Sequence, residues 1–153
     1  IFREMGNTSN IVIILIQQSI YLVKPSIDVL SSQYLSLTEP LNLLQAQALQ
    51  KHIDNEKIKF IRNMSYFVTR FFDPDLRTTM FNSMIKSSID KSFERCYNSL
   101  IEVLNNTTGD YAAKLSEVRL VEDQLVKDLM KGVLNIDYDM LEPKFKSTMP
   151  VDL

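Results

Sequence analysis

Two stretches of the chain repeat apolar residues at steps of three and four, and they stand on either side of one polar turn. From Asp73 the run is Leu76, Met80, Met84 or Ile85, Ile89, Phe93, Cys96 or Tyr97, Leu100 and Leu104. A backbone that turns once every 3.6 residues puts all of these on one side of a single helix. Asp73 stands where a side-chain oxygen can cap free N–H groups. Pro74 suits the first helical position, where its missing N–H costs nothing, and Asp75 favours the positive end of the dipole. The spacing predicts one amphipathic helix of about 30 residues over 73–104, about 45 Å long.

Past the cluster Asn105-Asn106-Thr107-Thr108-Gly109-Asp110, a second face carries Tyr111, Leu115, Val118, Val121, Leu125, Leu129 and Val133. Charges alternate opposite it, with Asp123 four residues before Lys127 as a helpful pair. A turn of about five residues joins two such helices as antiparallel neighbours. Gly132 falls where a helix often ends on glycine.

Upstream, Thr38 can cap a helix carrying Leu41, Leu44, Ala48 and Leu49, with Pro40 in its first turn. After Asp54-Asn55 a helix carries Ile58, Ile61, Met64 or Ser65, Val68, Phe71 and Phe72, while Phe60, Met64, Phe67 and Phe71 make a second stripe beside the first. So apolar a girth predicts the most buried helix of the set. The spacing leaves open whether these two stretches are continuous. Residues 10–23 and 25–37 read as one helix kinked at Pro25 or as two helices. The β-branched run Ile11-Val12-Ile13-Ile14 has strand character, but no second strand exists to pair with it. Gly6-Asn7-Thr8-Ser9-Asn10 reads as a loop, and 135–153, with Pro143 and Pro150, as a mostly irregular tail. No internal repeat and no sustained heptad seam is present. The expectation is an all-α fold: a single domain over 1–153, built as an elongated antiparallel bundle of four to six helices.

Composition removes many chemistries. At 153 residues and 45% apolar, the chain can fill one core. Three scattered glycines cannot cradle a phosphate, and one Cys with one His cannot build a structural zinc site. No cofactor or metal is expected. The lone Cys96 excludes an internal disulfide and points to a reducing, cytoplasmic setting. Four Asn-x-Ser/Thr triplets, from Asn7, Asn63, Asn105 and Asn106, fit chance in a chain this rich in those residues. The start Ile1-Phe2-Arg3, without an initiating Met, reads as a piece of a longer polypeptide. The apolar run 11–16 is followed by Gln17, Gln18 and Ser19, and even stretched to Val23 it falls short of the ~20 residues a spanning helix needs. Buried core, with no transmembrane segment, is the expectation.

Charge is unevenly spread. Residues 1–50 hold two basic and three acidic groups, 51–95 nine and six, and 96–153 six and ten. The central excess is too weak to argue for nucleic acid. The first fifty residues carry Gln17, Gln18, Gln33, Gln45, Gln47 and Gln50 where charges would be usual, so this segment reads as covered by something. Ile13, Gln17 and Gln18 are its candidate partner-binding residues. The back of the long helix offers a second candidate face. Its small neutral residues, among them Asn82, Ser83, Ser87, Ser88, Ser92, Asn98 and Ser99, would let another helix approach closely; codon bias would explain them equally.

Candidates for chemistry are few. His52 and Cys96 are the one nucleophile pair available, and they fall on different helices with Cys96 on the apolar stripe. Of the carboxylate pairs, Asp73/Asp75 is accounted for by capping, Glu122/Asp123 reads as a solvated face with Asp128 nearby, and Asp137/Asp139 with Glu142 lies in the tail. Lys59, Arg62 and Arg70, with Lys51 and Lys57, could form a basic patch for acidic headgroups or an acidic partner, diluted by Asp54 and Glu56. Peripheral membrane contact is therefore allowed but not indicated. The functional expectation is a non-catalytic helical protein–protein interaction domain of a larger scaffold, tethering or assembly subunit, with other subunits or the rest of its parent chain as partners. The alternative is a binding module that holds a hydrophobic ligand or amphipathic peptide in a groove lined by Phe67, Phe71, Met80 and Met84.

Overall fold

The computed structural model describes residues 6–71, 83–106 and 109–135, with side-chain surroundings for 13–66, 85–106 and 109–135. Within them the chain is helical and contains no strand: α1 (Gly6–Tyr21), α2 (Val23–Ser32), α3 (Leu43–Phe71), α4 (Ser83–Asn105) and α5 (Tyr111–Leu134). The β-branched run 11–14 is helical. The polar cluster from Gly6, expected as a loop, belongs to the start of α1. Such a cluster suits the first turn of a helix, whose N–H groups lack intrahelical partners, as well as it suits a loop.

α4 and α5 form the predicted antiparallel hairpin, and theirs is the most extensive helix contact in the fold. Ser88 lies beside Gly132 while Arg95 reaches Asp128, so the numbers fall along one helix as they rise along the other. Ile89, Phe93, Cys96, Leu100 and Leu104 of the predicted stripe are all buried. The described part of that helix has 23 residues. Positions 73–82, with the Asp73 cap and the stripe residues Leu76 and Met80, lie outside the described residues. The longest described helix is instead α3, at 29 residues, because the two upstream stretches are continuous.

α3 starts later than Thr38 suggests. The Asn42 side chain accepts from the Gln45 N–H at 2.8 Å and the Gln45 side chain accepts from the Asn42 N–H at 3.0 Å, a reciprocal capping box. Pro40 stays outside the helix. α3 buries Leu49, Ile53, Phe60 and Met64, with the Phe60 ring 6.3 Å from Phe93, and leaves Ile58 and Tyr66 exposed. Among the described side chains α3 is not the most buried helix. That place belongs to α5, which buries nine residues.

The first segment breaks into two helices at Leu22, three residues before Pro25. A proline ring strikes the carbonyl four residues back, here that of Tyr21, so the break falls upstream of the proline. Ile13–Ser32, taken across this break, is long and apolar enough to cross a membrane by length and composition, and 44% of its most apolar window is buried against the rest of the fold. Ile16, Ile20 and Ile27 join the same core cluster as α3, α4 and α5.

Asp110 caps α5 through the Ala113 N–H at 2.8 Å. At the far end the left-handed residue is Asn135, at φ 55°, and not Gly132. Gly132 sits inside α5 because a Cβ there would lie 2.7 Å from the Ser88 Cβ. Its role is close packing of the hairpin. The tail beyond 135 lies outside the described residues.

Candidate functional site

α1 packs between α3 and α5, which decides the fate of the residues nominated from it. Gln17 and Gln18 are 4% and 5% exposed, and Ile13 is half-buried against the core. The expected partner-binding face is therefore largely interior. A helix without charges can be turned inward on several sides, and α1 is. Asn82 lies outside the described residues, Ser83 begins α4 with its side chain outside them, and Ser87 is exposed. The small-residue back of α4 is partly consumed inside the chain: Ser88 meets Gly132, and buried Ser92 donates to the Ser88 carbonyl at 2.7 Å. The close approach those residues permit is that of α5. Of the described nominees, Gln17 and Gln18 face the interior and Ser87 faces solvent.

Much of what α1 and α2 turn outward is apolar. Ile14, Leu22 and Val29 are 44%, 42% and 72% exposed. Between Gly6 and Ser32 the charged residues are Lys24 and Asp28 alone. Both turn to α5, Lys24 in an ion pair with Asp123 and Asp28 in a hydrogen bond with Glu122. Leu43 and Leu44 at the start of α3 are exposed as well. Beside this face a cleft of about 300 Å³ lies between the α1–α2 bend and α3, lined by Leu22, Pro25, Ser26, Glu56, Lys59 and Phe60 among others.

The basic patch is thinner than its residue count. Lys59 reaches Glu56 one turn back at 3.4 Å and Lys57 is engaged by Asp90 of α4 at 3.2 Å. Arg62 is exposed, and the Arg70 side chain lies outside the described residues. Phe67, Phe71, Met80 and Met84, the proposed groove lining, also have side chains outside them.

His52 and Cys96 do not meet: the imidazole is exposed and the thiol buried. Burial first, then the negative charges of Glu122 and Asp128, push the Cys96 thiol up to about 12. A nucleophile needs the thiolate, so this sulfur is a packing group. No set of three His, Cys, Asp or Glu that could hold a metal occurs among the described residues.

The structure overturns the reading of Glu122 as a solvated carboxylate. It is 2% exposed, and its Oε1 and the Asp28 Oδ1 are both buried with no partner from any other residue. Burial, then the hydrogen bond to Asp28 and its charge, push Glu122 up to about 9, with Lys24 pulling the other way and Asp123 adding to the rise. Lys114 is buried too, its ammonium donating to the Leu37 carbonyl at 3.0 Å. A signal for both existed: Lys114, Val118, Glu122, Leu125 and Leu129 follow one another at steps of four and three, so the charged pair sits on the apolar stripe.

No protein-family model, curated protein or solved structure matches this chain.

Proposed function

We propose that this chain is a non-catalytic helical interaction domain of a larger scaffold, tethering or assembly subunit, an elongated antiparallel bundle of four to six helices that works by docking other proteins. One observation carries the reading: the two charges of α1 and α2 are both spent on α5, which leaves Ile14, Leu22 and Val29 exposed with no charge beside them on their own helices. Exposed apolar side chains with no charge interleaved among them favour a docking face. Leu43 and Leu44 extend the supply of exposed apolar area.

The buried, unreactive Cys96 and the exposed His52 favour a role without catalysis, and the single thiol agrees with a cytoplasmic setting. The burial of Ile16, Ile20 and Ile27 in the common core favours reading Ile13–Ser32 as packed helices instead of a membrane span. The test is affinity capture by the full-length polypeptide, with Leu22→Asp and Val29→Asp compared against wild type. Loss of the specific partners with melting within about 3 °C of wild type is expected, since exposed substitutions rarely cost more than about 0.5 kcal/mol. Partners retained by both variants would refute the reading.

A further inference from the structure

The interface between α2 and α5 has an unusual centre. Asp28 on α2 and Glu122 on α5 face each other within hydrogen-bonding reach, carboxyl to carboxyl, and Asp28 Oδ1 and Glu122 Oε1 are both buried with no partner from any other residue. Two carboxylates cannot hydrogen-bond to each other; one of them must carry a proton. The groups facing the pair offer no substitute. From α2 comes Lys24, which is engaged by Asp123 of α5 at the rim of the seam. From α4 comes the neutral Cys96 thiol, and from α5 itself Asp128, already held by Arg95 of α4. α1 has no charged residue. The Ser31 hydroxyl of α2 and the Gln18 amide of α1 are buried with polar atoms unmatched. The break at Leu22 and the missing N–H at Pro25 stand at the near end of α2, where a helix turns most easily.

We propose that the Asp28–Glu122 pair is a proton-operated latch, closing α2 onto α5 while one proton bridges the two carboxyls and releasing α2 when that proton leaves. The bond forms with the Glu122 hydroxyl donating to Asp28. On deprotonation the proton passes to solvent, two negative charges face each other in a seam with one already-committed cation, and repulsion replaces the bond. α2 then swings from the Leu22 break, uncovering Ile27 and the face of α5 around Val126. Burial already lifts Glu122 to about 9, so the closed state holds at neutral pH and tightens in acid, and opening belongs to the alkaline side. Neighbouring negative charge brought by a modification or an anionic partner would move opening toward higher pH, and added positive charge toward neutrality. The latch is independent of whether the exposed apolar residues bind a partner.

The chain's one thiol, Cys96, is buried, so cysteines introduced by Val29→Cys and Leu120→Cys, both at exposed positions, can be labelled selectively for a distance measurement between α2 and α5. In the full chain the separation should stay fixed from pH 5 to 8 and widen reversibly with a midpoint near 9, while helix content is kept. Asp28→Asn and Glu122→Gln should each leave the separation unchanged to pH 10, because the amide N–H donates to the remaining carboxyl after that group has lost its proton and no second negative charge faces it. A constant wild-type separation to pH 10 overturns the proposal, as does an opening that persists at the same midpoint in whichever variants fold. Loss of all helix content at the same pH also overturns it, since that would be global unfolding and not release of α2.

Discussion

At the scale of single residues, the ionisable groups that matter are the ones the fold has hidden. Glu122 gains protons on folding: below its ordinary value of 4.5 both the folded and unfolded chains hold the proton, and between 4.5 and about 9 only the folded one does. Its contribution is therefore present in full below pH 4.5 and declines as pH rises through 9. Urea titrations across pH 5–9 should show falling stability, with a slope of at most about 1.4 kcal/mol per pH unit and opening of α2 keeping the loss well below that ceiling. Glu122→Gln should flatten the slope and match or exceed wild type at pH 8. Cys96 gives a second expectation: a thiol-specific reagent at pH 8 should modify it only as fast as the protein opens, and at least tenfold faster in denaturant. Glu122 and Lys114 were readable as stripe positions, yet charge argues for solvent, and only the partner carboxyl on α2 and the Leu37 carbonyl make burial tolerable. Those partners lie 94 and 77 positions away, beyond the reach of local pattern.

At the scale of elements, helix ends and helix contacts obey chemistry that short motifs announce. The box at Asn42 and Gln45 is an Asn-x-x-Gln signature standing four residues after the weaker Thr38. Asn42→Ala should cost about 1 kcal/mol in chemical denaturation, whereas Thr38→Ala should stay within about 0.5 kcal/mol. Gly132 illustrates the opposite difficulty. A glycine near a helix end suggests a stop, but here it makes room for the Ser88 Cβ of the neighbouring helix. Gly132→Ala should destabilise by about 1–2 kcal/mol even though alanine favours helix by about 1 kcal/mol, because α4 and α5 must separate. In a double-mutant cycle, Ser88→Gly should recover about 1 kcal/mol of that loss. The apolar periods of α4 and α5 were legible because each has one dominant face. α3 has two, and the choice of Leu49, Ile53, Phe60 and Met64 over Ile58 is made by the helices that cover it.

Across the whole molecule, one core joins all the helices, so no described element is a bystander to folding. Phe93→Ala, at the meeting of α3 and α4, should cost about 3–5 kcal/mol and shift the unfolding midpoint measured by far-ultraviolet and near-ultraviolet signals together. The all-helical class was plain from periodicity. Which neutral surface would face outward was not, because glutamine and serine are as compatible with a crowded interior as with water, and Gln17, Gln18 and Ser92 took the interior. The path from α2 to α3 shows how little of a connection needs to be fixed. Lys114 grips the Leu37 carbonyl and Asn105 accepts from the Leu41 N–H at 2.8 Å, pinning both sides of Thr38, Glu39 and Pro40, which stand clear in solvent. With its ends so fastened, that short arch is the natural port for an inserted epitope or reporter domain, because lengthening a closed loop adds only about 0.6 kcal/mol per doubling.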